Sequence, residues 1–144
     1  MDDGAPQVRR LVLHGRPGSV SRCREFTRDA LYDWGWLPAG DPAGRAAAED
    51  VLLMVAELAA NAMMHAGGLR ELVLLHSGGG LRVELLDASP QPPAIRTDRR
   101  RGLPGGYGLL VVDRLARAWG SRPVPGGKAV WAEVAPPPGG SPRL

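Results

Sequence analysis

The chain has 144 residues, of which 44% are hydrophobic and 23% charged, with a net charge of +3. That length suits one domain with one core, and the balance excludes an intrinsically disordered chain. The lone Cys23 excludes a disulfide framework and a cysteine metal site, and fits a reduced, cytoplasmic setting.

The positive charge rests on arginine, since Lys128 is the only lysine. It suits anionic ligands without pointing to nucleic acid: the arginines are scattered and no recognition-helix pattern is visible. The N-terminus MDDGAPQVRR has no apolar run after its charges, so no signal peptide is expected. The stretch from Val51 to Leu69 is apolar but broken by Glu57 and His65, which predicts a buried helix rather than a membrane span.

In chain order, residues 1–6 read as a loose leader and 8–15 (VRRLVLHG) as a strand, suited to a sheet edge. A helix capped by Ser19 or Ser21 is predicted through about Trp34, with Val20, Cys23, Phe26, Ala30 and Leu31 on its apolar face. Residues 35–44 form a Gly/Pro loop, and a second helix runs from about Ala46 to His65, stopped by Gly67 and Gly68. Residues 70–77 and 81–88 make a hairpin through a triple-glycine turn. Residues 89–106 show no periodicity, a length usual for functional loops. A third helix is predicted over 107–120, with Leu109, Val112, Leu115, Ala116 and Trp119 on one face, then a last strand over 126–135. Residues 136–144 have the composition of a disordered tail. The sum is a single α+β domain over 7–135: a two-layer sandwich with a mixed, mainly antiparallel sheet and helices on one face.

Three features carry chemistry. In ELAANAMMHAGG, Glu57, Asn61 and His65 recur every four residues and so form one polar stripe on an apolar helix. A carboxylate and a carboxamide one turn apart can share a hard cation, although a solvated helix face gives the same pattern. Asp87 ends the second hairpin strand, where it can accept hydrogen bonds from a ligand amino group or simply start an Asx turn with Ser89. Gly105, Gly106 and Gly108 run into a helix, which suits either an anion site at free backbone N–H groups or a plain loop end. No Walker-type phosphate loop is present.

Taken in order, ELAANAMMHA, DASPQPP and GGYGLLVVDRLARAWG with GGKAVW resemble the GHKL superfamily of ATPases, which share the Bergerat ATP-binding fold. The chain is most similar to the small anti-sigma-factor serine/threonine protein kinases and their short relatives in actinomycetes, over nearly its whole length. The resemblance implies that Asn61 coordinates a Mg²⁺ bridging the ATP phosphates, that Glu57 is the general base, and that Asp87 receives the adenine amino group. It implies that Ser89 stands beside the base, that Gly106, Gly108 and the backbone at Leu109 cradle phosphate, and that 91–105 is an ATP lid. Arg99, Arg100 and Arg101 in that lid either screen phosphate or form a solvated basic run. It further implies a sigma factor or a STAS-domain antagonist as partner, and a homodimer. Departures from the family pattern are Ser89 and Gln91, where glycine is common, and Ala129, where threonine is. They favour an alternative, a catalytically inactive nucleotide-sensing or protein-binding module. A sensor histidine kinase is disfavoured: there is no room for a dimerisation helix pair, and His14 falls in a predicted strand.

Overall fold

A computed structural model of the chain describes residues 5–65, 68–91 and 107–137, the side chains of His65 and Tyr107 excepted. Strand β1 (Gln7–Val12) is followed by a turn in which His14 and Gly15 take left-handed backbone angles, φ 57° and 65°. His14, expected within a strand, lies in that turn. Helix α1 (Ser19–Asp33) begins at Gly18, not at a serine cap: the Ser19 hydroxyl donates backwards to the Arg16 carbonyl. Cys23, Ala30 and Leu31 are fully buried along it, with Val20 and Phe26 packed at the margin. Burial pushes the Cys23 thiol up to about 12, which leaves it protonated and inert at neutral pH.

Helix α2 (Pro42–His65) starts four residues earlier than the sequence pattern suggests. The Asp41 carboxylate accepts the Gly44 N–H at 2.7 Å, and Pro42 occupies the first helical position, where its missing N–H costs nothing. The DPAG stretch is therefore a start signal and not loop. Ala48, Val51, Leu52, Met54, Val55, Leu58, Ala59 and Ala62 are all buried, so the helix is enclosed by α1 on one side, α3 on another and the sheet beneath.

The hairpin β2 (Leu69–Ser77) and β3 (Gly80–Asp87) forms as expected. The next helix does not. Helix α3 spans Tyr107–Leu115, and Ala118–Val124 form strand β4, paired with β5 (Gly127–Val134). The sequence pattern had placed 116–120 in the helix because Ala116 and Trp119 continue its apolar spacing. In the fold the Arg117 N–H leaves the helix and donates to the Glu133 carbonyl, which starts the ladder, and the Trp119 indole reaches back to Asp113 at 2.8 Å. The five strands lie in the order β1-β2-β3-β5-β4, every neighbouring pair antiparallel.

The helix-covered face of the sheet carries Leu72, Leu74, Leu81, Val83, Leu85, Val130 and Ala132. Its other face carries an ionic ladder: Arg82 bonds Glu84 and Glu133 at 2.7 and 2.8 Å, and Arg122 bonds Glu84 at 2.8 Å. Arg82 also lies over the Trp131 ring. Among the described residues, no helix is long and apolar enough to cross a membrane.

The sheet end near Ser77 is tied to α1 through His76. Its ring stacks on Trp34 with centroids 4.6 Å apart, and its Nε2 accepts the Trp36 indole N–H at 3.1 Å. Nε2 is therefore unprotonated, and burial lowers the His76 pKa below its ordinary 6.5. With the folded value depressed, the unfolded chain binds the extra proton first. This contribution is thus fully present above pH 6.5 and is lost as pH falls through the lower folded value. Thermal unfolding followed between pH 7.5 and 5 will show a falling Tm in the wild type and a shallower fall in His76→Gln.

Candidate functional site

One end of the molecule collects most of the residues singled out in the sequence. Helix α2 ends at His65, and β2 begins at Leu69, whose partner across the hairpin is Asp87. The last turns of α2, with Glu57 and Asn61, therefore stand at the same end of the sheet as Asp87. Both side chains are half-buried on the open face of α2, which also carries exposed Glu49, Leu53 and Met64, while Leu58, Ala59 and Ala62 beside them are buried. Helix α3 packs along α2 with its C-terminal Leu115 beside Ala43, Ala46, Ala47 and Asp50. Its N-terminus, with Gly108 in the first turn, consequently runs back toward Glu57 and Asn61. Leu109 is buried, its side chain in the core. Gly106 and nearly all of the expected lid, 91–105, lie outside the described residues, as do Arg99, Arg100 and Arg101.

Asp87 is 1% exposed. Its Oδ1 accepts the Ser89 N–H at 2.9 Å, and the Ser89 hydroxyl in turn accepts the Gln91 N–H at 3.2 Å. The Asx turn that was the plain reading of this stretch is thus present, and it holds the carboxylate in a fixed pose. The alternation of side chains along β3 puts Asp87 on the same face as Leu81, Val83 and Leu85, under the helices.

The resemblance puts Ala129 where threonine is common, and the register shows where that residue lies. Ala129 pairs with Leu86 and faces the opposite side of the sheet; the residue across from Asp87 is Lys128. Its ammonium lies 3.0 Å from Asp87 Oδ1 and 3.4 Å from the Ser89 carbonyl, and the residue is 5% exposed. Lys128 was visible in the sequence only as the chain's single lysine. Gly127 makes the approach possible: a Cβ there would overlap the Asp87 carbonyl oxygen. Arg70, at a bulge in β2, donates to the Gly126 carbonyl at 3.1 Å and fastens the β4–β5 turn over the same end.

The fit to a nucleotide can be judged from these groups. A buried carboxylate with an ammonium beside it suits the polar edge of a base. The half-buried Asn61 carboxamide, which makes no hydrogen bond to another described residue, suits a hard cation. Among the described residues no cluster of three or more His, Cys, Asp or Glu could hold a metal alone. A cation here would accordingly be shared between Asn61 and the phosphates it accompanies, the usual habit of Mg²⁺.

The family model of the histidine kinase-like ATPase domain matches residues 14–134. The chain belongs to this family. No curated protein matches it. The histidine kinase-like ATPase domain is an ATP-binding domain, and the five-stranded antiparallel sheet under three helices found among the described residues is consistent with its architecture.

Gly127→Ala tests the close approach of β3 and β5. Forcing a methyl group against backbone should cost about 1–3 kcal/mol, as overpacking does. Urea unfolding will register it as a lower midpoint, and calorimetric titration as weaker ATP binding than in the wild type.

Proposed function

We propose that this histidine kinase-like ATPase domain is a serine/threonine protein kinase. In this reading it binds a sigma factor and transfers phosphate from ATP to a STAS-domain antagonist of that binding. The observation that carries the reading is the pair Glu57 and Asn61, one turn apart and half-buried on the open face of a helix whose other face is in the core. A helix that serves packing alone gains nothing from asparagine in its interior, where the amide competes for backbone hydrogen bonds.

In this reading Asn61 holds the cation that neutralises phosphate charge, the chemistry Mg²⁺ supplies when bound. The backbone at the start of α3, around Gly106, Gly108 and Leu109, donates to phosphate oxygens. Asp87, posed by Ser89, faces the base. Glu57 takes the proton from the substrate hydroxyl as its oxygen attacks the γ-phosphorus; the bond to the β,γ-bridging oxygen breaks, and ADP leaves with its electron pair. Dimerisation through a second copy and a cytoplasmic location belong to the same proposal.

The second reading, a nucleotide sensor or binding module without transfer, is favoured by one observation. The serine and glutamine after Asp87 close two successive side-chain turns, which stiffens a stretch where glycines would leave room beside the base.

Asn61→Ala and Glu57→Ala separate the two. Calorimetric titration should show Mg-dependent ATP affinity falling at least about tenfold in Asn61→Ala, the scale of one lost charge-assisted contact. Glu57→Ala should keep ATP binding while phosphotransfer to a STAS-domain protein, followed with labelled ATP, falls about 10²–10⁴-fold. Transfer that is equal in Glu57→Ala and wild type would defeat the kinase proposal. ATP binding without any transfer by the wild type would favour the sensor.

A further inference from the structure

Helices α1 and α2 leave between them a groove of about 560 Å³. Its floor is Val20, Leu52 and Ala56, and Leu53 forms the rim on α2. Leu53 is 43% exposed and does not stand alone: half-buried Ala60 and 53%-exposed Met64 lie seven and eleven residues on. Those intervals are close to two and three whole turns, so an apolar strip runs along the open face of α2 beyond the groove.

The opposite wall is basic. Arg24 and Arg28 both line the groove and are exposed, one turn apart on α1. Like charges at that spacing repel and weaken a helix. The ion pairs among the described residues all lie elsewhere, so nothing described neutralises these two guanidiniums. Glu49 stands on the α2 side. Trp36, just past the end of α1, lines a cavity with Ala43, Ala46 and Ala47 at the start of α2, so the two helices run antiparallel. Arg28 and Glu49 therefore mark one end of the groove, and Val20 and Ala56 the other. Ala56 immediately precedes Glu57, and Leu53 lies one turn before Glu57 on the same face.

We propose that this groove docks an amphipathic helix of the protein substrate, with apolar residues on its floor and two carboxylates one turn apart on Arg24 and Arg28. The inference rests on the kinase reading above. A groove between helices takes a third helix by its apolar face, through residues three and four positions apart. Carboxylates at i and i+4 match the spacing of the arginines, and the guanidinium fork suits them. Glu49 repels a carboxylate on the α2 side, so the acidic edge faces α1 and the helix enters in one orientation. The substrate chain at the Ala56 end then passes Glu57, which takes the proton of its hydroxyl.

Fluorescence anisotropy with two stapled helical peptides tests this. Both carry leucines along one face; one flanks them with glutamates at i and i+4, the other with lysines there. The wild type should bind the glutamate peptide at least about tenfold more tightly, and Arg24→Glu with Arg28→Glu should reverse the order, since like charges in contact cost more than that factor. Leu53→Asp should weaken both peptides at least about tenfold, as loss of a buried apolar anchor does. Equal affinities in the wild type, or an order unchanged in the arginine variant, would overturn the proposal. ATP titration checks that the variants fold: their ATP affinity should stay within about twofold of the wild type, the groove charges being exposed and screened. In phosphotransfer to a STAS-domain protein the arginine variant should raise KM and keep kcat; an unchanged KM would refute substrate docking here. Peptide selectivity without any transfer by the wild type would defeat the kinase reading and keep the groove. Sedimentation reads the competing occupant: a dimer that Leu53→Asp splits would make it a second copy and overturn the proposal.

Discussion

The enclosure of α2 sets the terms for the rest of the molecule. Its buried residues fill about half of the helix circumference, packed against α1, α3 and the sheet. A helix packed in this way tolerates polar groups only on its open face, and Glu49, Asp50, Glu57 and Asn61 all lie there. The site thus inherits its position from the core. Because the pair is fixed to a helix packed against both other helices and the sheet, its side chains are carried on a rigid support, the arrangement that holds reacting groups within about 0.5 Å.

The sheet solves a different problem on each of its faces. Beneath the helices it is mainly apolar, with His76 at one end and, at the other, Asp87 where β3 ends and Lys128 where β5 begins. On the open face it presents arginines and glutamates in contact: Arg10 with Glu71, Arg82 with Glu84 and Glu133, Arg122 with Glu84. Such exposed pairs add little stability one at a time. Their effect is to keep a face uncovered by helices hydrated, with Trp131 shielded under Arg82 and lying against Gly120.

Much of this was legible in the residues because the patterns that reveal helices and hairpins are local. The apolar spacing from Val51 to Ala62, the glycine turn at 78–80 and the polar stripe at Glu57 and Asn61 each act within one element. Misreadings came where local and distant signals compete. Helical spacing ran on through Ala116 and Trp119, and only the ladder with Glu133 and Ala132 shows that Ala118–Val124 is a strand. The start of α2 is hidden for a local reason: Gly40, Pro42 and Gly44 have the composition of a loop, while Asp41 caps the helix. At the site, Asp87 and its turn were visible, but its neighbour was not. Whether Lys128 or Ala129 stands beside the carboxylate depends on register, and a shift of one residue exchanges the two faces of a strand.

The burial of Lys128 has a consequence for the surface as well. A protein whose one lysine is 5% exposed offers reagents for lysine almost nothing to attack. Acylation, carbamylation and amine cross-linking of that side chain all require β3 and β5 to part near Gly127. The rate at which Lys128 becomes modified is therefore a built-in clock for opening at the base end of the site, one that needs no introduced label and has no second lysine to confuse it.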